Sequence, residues 1–210
     1  MARWRANGLL VTLLTGALPL AGAAALAHAY ALGARLVVLG DPGAGDFRMR
    51  ARDADTVART TAVVLVVSVV VVGPVFVTWM WRAARNQQVL HRGPERLGSG
   101  WAIGGWFVPL ANVVIPVLVV QDLWRGSDAA IDLGDPRWRI ADRSWLVGWW
   151  WGLLLGGTLA VVGAAADQPA ERISTLEQAN VLALLGSLSA AVAAVLGVLV
   201  VRRITERQTE

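Results

Sequence analysis

The sequence predicts an all-α fold, a polytopic transmembrane helical bundle that occupies residues 1–210 as one integral membrane domain. Three observations predict it. Hydrophobic residues make up 56% of the chain and charged residues 16%, against about 45–50% and about 25% in an ordinary soluble domain. The apolar excess is gathered into five segments, at about 8–30, 62–81, 101–124, 145–166 and 180–201. Each has about the 20 residues that carry a helix across some 30 Å of hydrocarbon. Most of the charge falls in the connectors 40–61, 82–100, 125–144 and 167–178 and at the two ends.

Charge and cysteine content narrow the function classes. All 19 basic residues are Arg, and the net charge is only +4. They alternate with acidic residues between apolar segments and form no continuous stripe, which excludes a nucleic-acid surface and leaves membrane orientation as their role. There is no Cys, so disulfides, thiolate chemistry and Cys-based metal sites are excluded. The Ala, Arg, Gly and Val bias points to a GC-rich genome.

The first segment follows Arg3, Trp4 and Arg5 and contains Pro19, whose missing donor a kink or a neighbouring helix must absorb. A rival reading is a signal peptide cleaved near Ala25-Leu26-Ala27, but the apolar run exceeds the usual 7–15 residues of such a region. The connector 40–61 opens on turn formers and mixes Arg48, Arg50, Arg52, Asp53, Asp55 and Arg59, as a solvated loop or a surface helix would. The second segment carries no charge from Ala62 to Met80. That is too long for a strand, so helix is predicted, kinked at Gly73-Pro74. Trp79 and Trp81 suit an interface belt, and Arg82 and Arg85 a helix end.

The third segment, Trp101 to Trp124, is the exception. It is long enough to span, yet it contains Gly104-Gly105, Pro109, Asn112 and Pro116, and two prolines disrupt a continuous helix. After Pro116 the face bearing Gln121, Asp122 and Arg125 is polar, with Asp122 and Arg125 at i, i+3. A segment broken by prolines, re-entrant or interfacial, is expected here. The connector after it holds Asp128, Asp132 and Asp135, without the spacing of a calcium loop. The fourth segment opens on Trp145, Trp149, Trp150 and Trp151, which suit an interface. Gly148, Gly152 and Gly156 fall on one face in the small-xxx-small pattern that lets another helix approach. The fifth has small residues at Gly186, Ala190, Ala194 and Gly197.

The path of the third segment sets the topology. If all five segments cross, the richer side holds 12 of the 19 Arg; if the third re-enters, the two ends and the loops 82–100 and 125–144 share 13. The second scheme is slightly better by the positive-inside rule and also accounts for the prolines.

Residues 76–127 resemble a bacterial membrane family catalogued as domain of unknown function 4328. The resemblance is carried by FVTWMWRAARN (Phe76 to Asn86), SGWAIGGWFVP (Ser99 to Pro109), Asn112, Pro116, DLWRGS (Asp122 to Ser127) and GWW (Gly148 to Trp150). It implies a location in the bacterial cytoplasmic (plasma) membrane, an interfacial or re-entrant third segment, and no mechanism.

No nucleophile–base pair, aspartyl pair or metal cluster stands out, and His28 and His91 lie far apart in sequence, so no enzyme, cofactor or metal is expected. The residues hardest to explain by packing are Asn112, with Pro109, Pro116 and Trp106 around it, as an intramembrane polar site. Arg82, Arg85, Asn86, Asp122 and Arg125 are candidate contacts to lipid headgroups or the interface. The expected function is a non-enzymatic, envelope-associated scaffold or interaction protein. Its partners are membrane lipids, and further copies or other membrane proteins through the face of Gly148, Gly152 and Gly156. The alternative is a small-solute or lipid transport component built on the region of Asn112.

Overall fold

Long runs of Val, Leu and Ala without turn formers propagate helix once nucleated, because each added residue closes one more backbone hydrogen bond. The computed structural model, which describes residues 7–89, 97–128, 140–166 and 173–209, has six helices: α1 (Gly8–Leu39), α2 (Phe47–Val89), α3 (Trp101–Gly104), α4 (Ala111–Gly126), α5 (Trp145–Ala166) and α6 (Ile173–Thr209). No strand occurs among the described residues. Four helices, Gly8–Leu39, Phe47–Gln88, Trp145–Ala165 and Ser174–Gln208, are long and apolar enough to cross a membrane. The sequence suggests five such segments, and the third is the difference. It forms the four residues of α3 and the sixteen of α4. At 1.5 Å per residue α4 is about 24 Å long, short of a hydrocarbon core of about 30 Å.

The prolines act unequally. Pro19 and Pro74 lie inside α1 and α2, which continue through them. Pro116 likewise lies inside α4, where its missing N–H costs only the bond to the carbonyl of Asn112. The interruption falls at 105–110, around Pro109, where Leu110 takes φ 65°, the one non-glycine residue with positive φ among those described. Upstream, much of the charged connector is helical: α2 begins at Phe47, and Thr56, Thr60 and Thr61 return their hydroxyls to carbonyls of the preceding turn.

The chain divides into two units, and each of the four long helices contributes a stretch to both. Unit 1 comprises Met1–Leu18, Val71–Trp151 and Leu196–Glu210. Its core is aromatic. Phe76 lies 5.3 Å from both Trp79 and Trp150 and 6.2 Å from Trp106, and Trp151 lies 5.8 Å from Trp106, ring centre to ring centre. Such pairs contribute about 0.5–1.5 kcal/mol each beyond their burial. Trp79, expected at an interface, is fully buried, and its Nε1 finds a partner by donating to Thr205 Oγ1 at 3.1 Å. Trp150 and Trp151 are buried as well, while Trp145 and Trp149 are exposed.

Unit 2 comprises Pro19–Val70 and Gly152–Val195. Its helices meet through small residues. A Cβ at Gly157 would stand 2.8 Å from the Gly186 carbonyl oxygen, and one at Gly186 would stand 2.7 Å from that of Gly157. Only two glycines let backbones touch this closely. In this unit Val63, Val64, Val66, Val67, Val69 and Val70 of α2 are all more than half exposed. In water, burying a valine is worth about 1.5–3 kcal/mol. Six left out forgo on the order of 10 kcal/mol, as much as the whole stability of a typical domain.

Candidate functional site

Polar side chains concentrate in two places, one in each unit. In unit 1 they come from the last turns of α2, α4 and α6 and the start of α5. Gln121 receives the Ser144 N–H on Oε1 at 2.9 Å and donates Nε2 to the Ser144 carbonyl at 2.8 Å. Gln87 donates to the Asp122 carbonyl and Gln208 to that of Ala83, both at 3.2 Å. The Arg207 guanidinium stacks on Trp124, 4.2 Å from the ring centre, and that of Arg85 lies over Trp81 at 5.5 Å. Of these bonds, the one from the Ser144 N–H satisfies a donor at the start of α5 that has no partner within its own helix; the others give buried side-chain amides a carbonyl on a neighbouring segment.

The candidate headgroup residues fall in this layer. Asn86 and Arg125 are buried, Arg82 and Asp122 half-buried, and Arg85 exposed. The group around Asn112 is more scattered in environment. Asn112 and Pro109 are exposed, Pro116 is buried, and Trp106 is half-buried against Phe76 and Trp151. Trp151 Nε1 donates to the Val113 carbonyl at 2.9 Å, while Trp106 Nε1 is buried with no hydrogen-bond partner among the described residues. The glycines at 148, 152 and 156 are exposed, and a Cβ on any of them would meet nothing within 4 Å. His91, Asp132 and Asp135 lie outside the described residues. Among those described, no three His, Asp or Glu side chains gather as metal ligands.

The second polar group, in unit 2, is one the sequence did not reveal. Arg35 of α1 donates Nε to Asp55 Oδ1 at 2.7 Å and an NH1 proton to Asn180 Oδ1 at 3.0 Å. Asn180, itself buried, returns its Nδ2 to the Leu32 carbonyl at 2.6 Å. His28, also buried, pairs its Nδ1 with Thr61 Oγ1 at 3.0 Å. His28, Arg35, Asp55 and Asn180 line a cavity of about 370 Å³, joined by Arg59. Alanines 58, 62, 164, 179 and 183 form much of the remaining wall. Arg35, Asp55 and Asn180 come from three helices and are far apart in sequence, so no local motif announces them. The one signal was an Arg placed after an apolar run that has no other charge from Gly8 onward.

The aromatic core of unit 1 is built from the residues that carry the family resemblance: Phe76, Trp79, Trp106 and Trp150 lie in its motifs. The model of the family described as Domain of unknown function (DUF4328) matches residues 46–206. The chain belongs to this family. The match takes in α2 through nearly all of α6 and leaves out α1. Arg35 and His28 therefore lie outside the family's matched region, while Asp55, Arg59 and Asn180 lie within it. Among curated proteins and solved structures, nothing matches the chain.

Proposed function

We propose that this DUF4328 chain is a multi-pass protein of the bacterial cytoplasmic membrane. In this reading it acts as a non-enzymatic scaffold or interaction component and assembles through α5. Four helices are long and apolar enough to cross, and lipid is the solvent that removes the cost of the exposed valines on α2. Four crossings with a re-entrant or interfacial α3–α4 put both ends and the loops 82–100 and 125–144 on one side. That side holds 13 of the 19 Arg and is assigned to the cytoplasm.

The observation that carries the assembly reading is the open glycine face. Gly148, Gly152 and Gly156 repeat every turn and lie exposed beside Trp145, Trp149 and Leu159, and a Cβ on any of them would meet no other helix within 4 Å among the described residues. Within lipid, association depends on close backbone approach and not on hydrophobicity, and this face permits such approach. Replacing Gly152 with Leu is expected to shift the purified protein to a smaller assembly while helix content stays constant. Light scattering in detergent reads this, and unchanged assembly size and yield would sink the idea.

A further inference from the structure

We propose that the cavity of unit 2 binds a singly charged phosphodiester, the headgroup of an anionic membrane phospholipid. The reading rests on the membrane placement argued above.

The polar lining has a net charge of one sign. Two guanidiniums, Arg35 and Arg59, face one carboxylate, Asp55, which leaves a single positive charge for a single negative one. Arg35 is held rather than free, by Asp55 on Nε and Asn180 on NH1. A guanidinium has five N–H groups, so three remain in a fixed orientation, the arrangement that suits phosphate oxygens. Arg59 is exposed and has no bond to another side chain among the described residues, so it is available to close over a ligand.

The cavity is also lined by His28, which is paired with Thr61. Thr61 carries one hydroxyl proton, and its Oγ1 lies 2.9 Å from the Val57 carbonyl and 3.0 Å from that of Ala58. His28 Nδ1 pairs with the same Oγ1 at 3.0 Å, and in the tautomer that donates from Nδ1 the Nε2 atom is an acceptor. A headgroup bearing hydroxyls, such as the glycerol of phosphatidylglycerol, can donate to or accept from the second ring nitrogen in either tautomer.

Placement and size agree. Arg35 follows the first apolar segment, Asp55 and Arg59 precede the second, and Asn180 opens the last. All lie where charged sequence gives way to apolar sequence, the level of lipid phosphates. Small-molecule sites run from about 300 to 1,000 Å³. A cavity of about 370 Å³ therefore holds a headgroup and not two acyl chains. Its alanine wall leaves open a volume that larger side chains would fill.

The test is native mass spectrometry of the full chain in detergent mixed with equal phosphatidylglycerol and phosphatidylcholine, with free glycerophosphoglycerol as a separate arm. The wild-type chain is expected to retain phosphatidylglycerol over phosphatidylcholine by at least about fivefold, the worth of one well-placed Arg near a membrane surface. Arg59→Ala removes one cation at an exposed position, and Ala183→Leu fills the cavity without touching a charge. Both are expected to abolish the preference, with unchanged elution and helix content marking a folded chain. Retention of the lipid alone identifies a bilayer source. Equal binding of glycerophosphoglycerol identifies a free phosphodiester at the same site. Binding of neither above phosphatidylcholine, or wild-type preference in both variants, overturns the proposal. Carbonate extraction of the expressing cells scores membrane placement separately, so a failure of that reading is distinguishable.

Discussion

At the scale of single residues, Gly126 is constrained by a neighbour from another helix. The Gln87 amide occupies the place a Cβ on Gly126 would take, and Gln87 is held there by its bond to the Asp122 carbonyl. Gly126→Ala should therefore expel the Gln87 amide from a buried position and destabilise the chain by about 1–3 kcal/mol, the cost of leaving buried polar groups unpaired. Gln87→Ala in the same chain removes the obstacle, so the double variant should recover part of the loss. Thermal midpoints of the four chains read the coupling, and additive losses would show that the two residues do not share a space. Sequence gave no hint of this pair, because a Gly after DLWR reads equally well as a helix stop. Trp79 shows the converse problem. A Trp at the end of an apolar run has the same appearance whether its indole meets headgroups or, as here, the hydroxyl of a half-buried Thr205. Which partner it finds depends on α6, more than a hundred residues away.

At the scale of helices, α5 carries two glycine faces with different surroundings, and adjacent residues separate them. Gly156 is exposed and faces nothing within 4 Å, while Gly157 meets the backbone of α6 at Gly186. The small-xxx-small pattern was legible and pointed to Gly148, Gly152 and Gly156. The close approach inside the chain occurs one position on, and the Gly156-Gly157 doublet left that choice open. The small face of α6 at Gly186, Ala194 and Gly197 does pack within the chain, against Gly157, Gly22 and Trp150. The magnitudes fix opposite signs for the same substitution. Ala is favoured over Gly in an open helix by about 1 kcal/mol, so Gly152→Ala should leave the monomer's thermal midpoint equal or higher. At Gly157 the added methyl meets backbone that cannot swing aside, and overpacking of about 1–3 kcal/mol exceeds that gain, so Gly157→Ala should lower it. Equal midpoints for the two variants would contradict the assignment of inner and outer faces. The long helices themselves were easy to read, since runs of about twenty uncharged residues admit few alternatives. The polar group of Arg35, Asp55 and Asn180 was not, since it exists only once three helices are packed.

At the scale of the whole molecule, the number of crossings follows from the third segment, because every later segment inherits its side. The sequence contained the competing signals: enough apolar residues to span, together with Gly104-Gly105, Pro109 and the polar face after Pro116. In the structure these residues form α3, the turn at 105–110 and α4, with neither helix long enough to cross. In the proposed topology, four crossings would place Ser99 and Ala141, on either side of this segment, on the same face of the membrane as the chain's C-terminal end. Ala44, between α1 and α2, would fall on the opposite face. The absence of Cys makes this directly measurable. Single Cys residues at Ala44, Ser99, Ala141 and after Glu210, labelled in intact cells with an impermeant maleimide and again after permeabilisation, should report Ala44 from outside and the other three only from inside. The Arg distribution sets that polarity, and the re-entrant path sets the pairing, so the two parts can fail independently. If all four sites keep the pairing but invert, the charge argument is wrong and the path stands. If Ser99 and Ala141 label from opposite sides, α3 and α4 together cross the bilayer, and the chain has five crossings with its ends on opposite faces.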